Sequence, residues 1–299
     1  MSNQIKSNIK VDNKNYSSSQ IKVLDLLKNE KELCLMVAPS FVIDFNYKTF
    51  VPLMKGLGFA YVSELTFGAK IVNKNYHDYI LENKNKQDFF ISSACPTCVN
   101  LIKAQFQNLT KYLMPFDSPV ITMAKILKTN FPNSKIVFLS PCLSKKIECK
   151  NSGLIEETIT FKEMKDLIEK EKVIPKNCSH LFDRFYNDYT KIYPTSGGLS
   201  KTMKSKNILT ENEIVICDGC KNLKEILTNL ENNKEKKFYD ILFCNGGCIG
   251  GPEINNNTPI WFRKFSLTSY IKNSKKEKIG NRKGLEEYTK NIDFKKKFN

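Results

Sequence analysis

The stretch that constrains this chain most is Asp240–Pro252, DILFCNGGCIGGP. After the Asp240 lead-in, Ile241, Leu242 and Phe243 read as the end of a buried strand. Cys244 follows, then a turn through Asn245, Gly246 and Gly247, then Cys248, and a second glycine pair, Gly250–Gly251, before Pro252. Glycines there allow positive φ and let the backbone pass a bulky neighbour without a Cβ in the way. Two thiols with three residues between them on such a loop can reach one metal centre. A strand-to-helix turn with two incidental cysteines has the same spacing, so the cysteines elsewhere decide the matter.

There are ten cysteines in 299 residues, a length that supports a full core and one or two domains. No run approaches a membrane span, and the N-terminus MSNQIKSNIK lacks the apolar core of a signal peptide, which predicts a cytoplasmic protein. Cysteines in that compartment serve as metal ligands or redox groups more often than as disulfides. The formal charge of +16 comes mostly from lysine. With no nucleic-acid motif and no basic stripe interleaved with aromatics, nucleic acid is not the expected partner. An acidic partner or an anionic cofactor suits the charge better. The sequence also lacks G-x-x-x-x-G-K-[ST], so it gives no support for a phosphate-loop nucleotide site.

Residues 1–20 are polar and expected to be loose. Periodicity then predicts a helix over Ser19–Lys31, a buried strand over Leu33–Ala38, a helix over Tyr47–Leu57 ended by Gly58, and a strand over Ala60–Ser63. A helix over Phe67–Glu82 precedes a strand over Asp88–Ser93, helices over Lys103–Leu113 and Ser118–Asn130, and a strand over Lys135–Leu139. Further on come a strand over Ile155–Phe161, a helix over Lys162–Glu171 and an irregular segment, 172–198. A strand over Glu213–Cys217, a helix over Asn222–Leu230 and a strand over Phe238–Phe243 complete the pattern. Trp261 and Phe262 are the expected anchor of the polar tail. This alternation predicts an α/β fold of parallel sheets with crossover helices, whose function collects beyond the carboxyl ends of the strands.

Three loops there share one layout: SSACPTC (92–98), LSPCLSKK (139–146) and LFCNGGC (242–248). Cys95, Cys142, Cys244 and Cys248 would bring four thiolates together, the usual complement of a cubane iron–sulfur cluster. A structural zinc site also takes four thiolates, but its paired C-x2-4-C knuckles fit poorly here.

The loops SSACP (92–96), SPCLSKKIE (140–148) and CNGGCIGGP (244–252) resemble, in order and separation, the signature motifs of the iron-only ([FeFe]) hydrogenases. Ala38–Pro39–Ser40, Phe67–Gly68–Ala69, Asp117–Ser118–Pro119 and Ser196–Gly197–Gly198 match further family segments, so the resemblance runs from about 33 to 252. It implies two lobes, each a small mainly parallel sheet flanked by helices, with the metal site in the cleft between them. One lobe would span about 21–65 plus 195–252 and hold the strands at 33–38, 60–63, 213–217 and 238–243. The other would span about 66–194 and hold those at 88–93, 135–139 and 155–161, and 253–299 would form a tail.

The resemblance also implies an H-cluster, a [4Fe–4S] cubane joined to a [2Fe] subcluster carrying CO, cyanide and a bridging dithiolate amine. Cys95, Cys142, Cys244 and Cys248 fall on the cubane ligands, and Cys248 on the bridging one. Lys145 falls on the lysine that hydrogen-bonds a cyanide, and Pro39 and Ser40 on the loop near the other cyanide. Ala94 stands where fast members carry a proton-transfer cysteine. The two onward glutamates stand as Tyr76 and Tyr79, and the methionines lining the diiron unit as Ser140 and Leu242. This pattern is similar to the divergent and sensory branches. It implies slow hydrogen oxidation and proton reduction, or hydrogen sensing. A ferredoxin run does not precede Cys95, so electrons would come from an acidic, ferredoxin-like partner, and maturation proteins would supply the diiron unit. The alternative is a non-catalytic, assembly-factor-like member holding only the cubane. Cys98 lies within a turn of Cys95. The Cys217–Cys220 pair reads as structural, with a redox or metal role the alternative, Cys34 reads as core, and His77 and His180 carry no assigned role.

Overall fold

The computed structural model describes residues 16–185, 189–203, 208–274 and 284–298. The segment expected to be loose falls partly outside these residues, and its described end is ordered. Ser17 caps α1 (Ser18–Asn29), with its hydroxyl accepting from the Gln20 N–H and the Gln20 side chain accepting from the Ser17 N–H. That reciprocal cap is a helix start that polar composition alone conceals. Helix α1 buries Val23, Leu24, Leu26 and Leu27.

After it come β1 (Leu33–Val37), a 3-10 turn at Pro39–Ile43, α2 (Tyr47–Leu57), β2 (Tyr61–Glu64) and α3 (Thr66–Asn83). The middle of the chain holds β3 (Phe90–Ile91), α4 (Pro96–Gln105), α5 (Pro119–Asn130), β4 (Lys135–Ser140), α6 (Ser144–Ser152), β5 (Glu157–Thr160) and α7 (Phe161–Lys170). The last part holds α8 (Gly198–Thr202), β6 (Ile214–Asp218), α9 (Cys220–Asn229), β7 (Phe238–Leu242) and α10 (Ile260–Ser274). Among the described residues no helix is long and apolar enough to cross a membrane.

These strands form two parallel sheets flanked by helices, with orders β2-β1-β4-β5 and β3-β7-β6. The expected division of strands between lobes is corrected at two places. Strand β4 pairs along β1, from Leu33 opposite Lys135 to Val37 opposite Leu139, and β5 joins β4. Strand β3 lies on β7 instead, with Phe90 opposite Phe238. The physical reason is burial. Strand β1 is buried throughout and β4 nearly so, so each needs neighbours on both edges and they form the sheet's centre. A two-residue β3 can serve only at an edge. The lobe boundaries at 65 and 195 therefore do not follow the sheets. Helix α3 serves both halves: Phe67 and Ile71 pack with the larger sheet's core, Val72, Tyr76 and Ile80 with Phe90 and Phe238.

Two further expectations change. The helix expected at Lys103–Leu113 begins at Pro96 and ends at Gln105, with a 3-10 turn over Gln107–Tyr112. Proline favours the first helical position because its missing N–H has no intrahelical partner there. Trp261 and Phe262 do not anchor the tail, being 71% and 41% exposed. Helix α10 is pinned by Leu267, by the Tyr270 hydroxyl on Glu64 Oε1 at 2.6 Å, and by Arg263, which donates to Ile249 O at 2.9 Å.

Strand β7 carries a buried acid. Asp240, 2% exposed, accepts from the Ser200 N–H at 2.9 Å and the Ser200 hydroxyl at 2.8 Å. Burial raises its pKa despite those two hydrogen bonds. In the unfolded chain an aspartate ionises near about 3.9. Between that value and the raised folded one, the unfolded state loses its proton first, so stability falls as pH rises and the deficit persists above the window. Asp240→Asn should therefore gain stability relative to the parent between about pH 4 and about pH 7. Urea midpoints at the two pH values measure this. An equal offset at both would show that Asp240 is ionised in the folded state throughout.

Candidate metal centre

Strands β3, β4 and β7 end at one place, and each continues into a cysteine loop. Cys95, Cys142, Cys244 and Cys248 all line one cavity, together with Pro39, Ser40, Ala94 and Lys145. Local hydrogen bonds fix each loop. The Ser92 hydroxyl accepts from the Ile241 N–H at 3.0 Å, locking the Cys95 loop to β7. Ser140 Oγ accepts from the Cys142 N–H at 3.1 Å, a serine turn that aims the chain off β4. The Gly247 N–H closes on Cys244 O at 2.9 Å.

Two glycines are needed where these loops touch. Gly247 has φ +81°, and a Cβ on it would lie 2.6 Å from Pro194 O. A Cβ on Gly251 would lie 2.5 Å from Pro141 O, so the Cys142 and Cys248 loops meet backbone to backbone.

The electrostatics of the four thiols are coupled. Burial pushes Cys244 up to about 12, with Cys95 and Cys142 adding to the effect. Cys248 is raised further by burial, then by Cys95, Cys142 and Cys244. Cys95 is lowered to about 6, first by a hydrogen bond from the Cys98 thiol, against burial, with the Cys98 and Phe243 N–H groups and Lys145 assisting. Cys95 occupies the N-cap position of α4, and a helix N-terminus favours a thiolate.

Among the described residues no three His, Cys, Asp or Glu side chains are arranged to hold a single metal ion. Tetrahedral zinc would need its sulfurs within about 3.8 Å of one another, given Zn–S bonds of about 2.3 Å. Four thiols lining one cavity match the usual ligand number of a polynuclear cationic core of the cubane type.

Beside the thiols, Lys145 Nζ donates to Glu148 Oε2 at 2.6 Å, to Ser118 Oγ at 3.2 Å and to Ala94 O at 3.5 Å. Desolvation opposes its charge, but Glu148 outweighs this and its pKa is raised. Ser40 is fully buried, and among the described residues its hydroxyl has no hydrogen-bond partner. Such an orphan in a cavity wall fits a site built for a polar group.

Ala94 presents only a methyl group. Tyr76 is fully buried, accepts from the Ser93 N–H at 2.8 Å and lies 2.8 Å from Ser93 Oγ. Burial raises its pKa, with the Ser93 hydrogen bonds opposing. Tyr79 packs edge-on against Phe90 and Phe116. Leu242 lines the cavity, as does Ser140. Cys34 is core, Cys217 is buried while Cys220 is exposed, and neither of that pair lines the cavity. His77 sits beside Asp78 and His180 against Tyr47, both outside the cavity.

Sequence reasoning missed two features. Tyr193 and Pro194, from the segment read as irregular, line the cavity. The Glu148 partner of Lys145 was also overlooked, although its i,i+3 spacing signals it.

Residues 31–252 match the family described as the C-terminal domain of the iron only hydrogenase large subunit. Iron hydrogenase 1 of Clostridium pasteurianum is 23% identical, over 78% of this chain and 53% of its own length. The cytosolic Fe-S cluster assembly factor NAR1 of Encephalitozoon cuniculi is 26% identical, over 62% of this chain and 56% of its own. The chain thus spans about half the length of these curated relatives. A solved structure of an [FeFe]-hydrogenase at a stage of H-cluster assembly superposes with a TM-score of 0.67 at 15% identity, covering 83% of this chain and 88% of that one. A variant [FeFe]-hydrogenase from Chlamydomonas reinhardtii gives 0.64 at 15% identity, with the same coverage. The shared fold, the ordered cysteine loops and the match over 31–252 place this chain in the iron-only hydrogenase family, as a form of the C-terminal domain of its large subunit.

Proposed function

We propose that Cys95, Cys142, Cys244 and Cys248 hold a [4Fe–4S] cubane, with Cys248 bridging to a [2Fe] subcluster, and that the chain binds hydrogen slowly or as a sensor. The observation that carries this reading is the set of residues that line the cavity beside the four thiols. Its wall includes Pro39, the orphaned Ser40 hydroxyl and the Lys145 ammonium, which suit the polar ligands of a second metal unit. The bound cluster would supply the redox and hydrogen-binding chemistry. The chain's own groups hold it, offset its charge and exclude water. The net charge of +16 suits an acidic electron carrier, steered to the surface by long-range attraction.

A second reading is a cubane-only protein. Ala94 and the Tyr76–Ser93 hydrogen bond favour it, because neither offers a proton carrier at the cavity. Lys145 does not separate the two, since its ion pair with Glu148 gives it a structural duty in either case.

Single alanine substitutions at Cys95, Cys142, Cys244 and Cys248 should each lose most of the iron of the reconstituted protein, whereas Cys217→Ala and Cys220→Ala should keep it. Iron analysis checks this, and equal loss from the last two would move the site. With the cubane assembled and a synthetic diiron precursor added, CO and cyanide stretches should appear in the infrared. Their absence would select the cubane-only reading. Ala94→Cys should raise hydrogen turnover at matched cluster content, but by less than the ~10²–10⁴-fold of a complete proton relay. Dye-coupled assays in both directions measure it, and an unchanged rate would show that proton transfer at this position is not limiting.

A further inference from the structure

Helix α10 turns aromatic side chains toward solvent, where a surface helix ordinarily carries polar ones. Trp261, Phe262 and Phe265 are 71%, 41% and 66% exposed. Their rings form one patch, with centroids 5.8 Å apart from Trp261 to Phe262 and 6.4 Å apart from Phe262 to Phe265. A contiguous exposed apolar patch, unlike a scattered leucine, marks a binding surface. Rotation of the helix cannot hide these rings, because its other face is fixed. Leu267, Tyr270 and Ser274 are buried, and the Tyr270 hydroxyl donates to Glu64. The Arg263 guanidinium donates to the carbonyls of Ile249, Asn256 and Thr258. At the start of the helix, Ile260 sits so close to the Cys244–Cys248 loop that a Cβ on Gly246 would lie 2.6 Å from it.

Charge and size select the occupant. Lys264, Thr268, Ser269 and Lys272 are the other exposed residues along this face, and Lys272 stands about two turns beyond Phe265. From Ile254 to Ser274 the chain has no Asp or Glu, so the patch and its flanks attract anions. Fully covered, three aromatic side chains would bury about 450–750 Å². That is short of the ~800 Å² per partner of a standard protein interface. A bilayer surface asks for no matching shape, only rings that enter the headgroup layer and cations that meet anionic lipid. We propose that the exposed face of α10 docks the protein reversibly on an anionic phospholipid surface. Trp261, Phe262 and Phe265 enter the headgroup layer, and Lys264 and Lys272 meet the lipid phosphates and carboxylates. Three rings and two lysines make a weak anchor, so attachment needs both the apolar and the charged contributions. The docking is independent of the cluster proposed above.

Trp261 is the only tryptophan in the chain, so its emission reads this face alone. The full-length protein is titrated with phosphatidylcholine vesicles, with and without about 30% phosphatidylserine. On the anionic vesicles the emission should shift to the blue and be quenched by brominated acyl chains. Affinity should be about tenfold above that for phosphatidylcholine alone and should fall as salt is added. Phe265→Ser, at an exposed position, should keep the circular dichroism of the parent and bind about tenfold more weakly. Lys272→Glu should remove the preference for anionic lipid. Unchanged Trp261 emission on anionic vesicles, or equal affinity for both lipids, would overturn the proposal. So would co-sedimentation undiminished by Phe265→Ser, which would assign the attraction to the net charge of +16 at large. A blue shift that grows with protein concentration alone, or that needs an acidic ferredoxin in place of vesicles, would give the face to a protein and overturn it equally.

Discussion

Four thiols around one cavity cannot all carry charge unless a cation lies among them. In this chain Cys244 and Cys248 are each held protonated by burial and then by their neighbours. Closing four thiolates on one another costs what a polycationic core returns, so the metal and the loop geometry belong to a single free-energy balance. The protein resists relaxation of that strain with backbone. Glu253 N–H donates to Pro141 O at 3.1 Å, and the Cβ-free faces of Gly247 and Gly251 leave no slack between loops. A looser cavity would let the thiols separate and would lose its reason to bind metal.

That rigidity has to come from two sheets at once, because β4 belongs to one and β3 and β7 to the other. Helix α3 joins them by burying opposite faces in both cores. Charges inside this frame are paired. Lys145 meets Glu148 at 2.6 Å, and Lys191, 1% exposed, lies 3.6 Å from Glu64, which also accepts from Tyr270. Removing one partner of such a pair leaves a buried charge uncompensated, so these residues hold the loops in place even where the net energy of each pair is small.

Much of this was legible in the sequence, and what was not has physical causes. The strands ending in Ile91, Ser140 and Leu242 announced themselves by apolar runs meeting proline, glycine and cysteine. The cavity shows that the four cysteines on those loops do come together. Strand partnership was not legible, because β4 and β3 are both short apolar runs and periodicity does not name neighbours. The start of α4 at Pro96 was missed because Cys95 is also its cap, a role for which serine or aspartate is the usual signal. The tail departs from expectation because aromatic content does not by itself make an anchor. Tyr270 and Arg263 hold α10 through hydrogen bonds, while Trp261 stays exposed.

The hydrogen bonds around Ala94 bear most directly on what such a site can do. Tyr76 accepts from the Ser93 N–H, which leaves its hydroxyl proton for Ser93 Oγ. The Ser93 hydroxyl in turn donates to Met114 O at 2.7 Å. Every proton in this series of bonds therefore points away from the cavity and ends on a backbone carbonyl, which cannot titrate. Tyr76 is a latch on the loop that carries Cys95, where a carboxylate would have been a relay. Besides the cysteines, the ionisable side chains in the cavity wall are Lys145 and Tyr193. Glu148 holds the lysine's proton in place, and burial holds the tyrosine's. With its nearest hydrogen-bonded series locked in one direction, this wall offers the proposed cluster no proton relay through Tyr76 and Ser93.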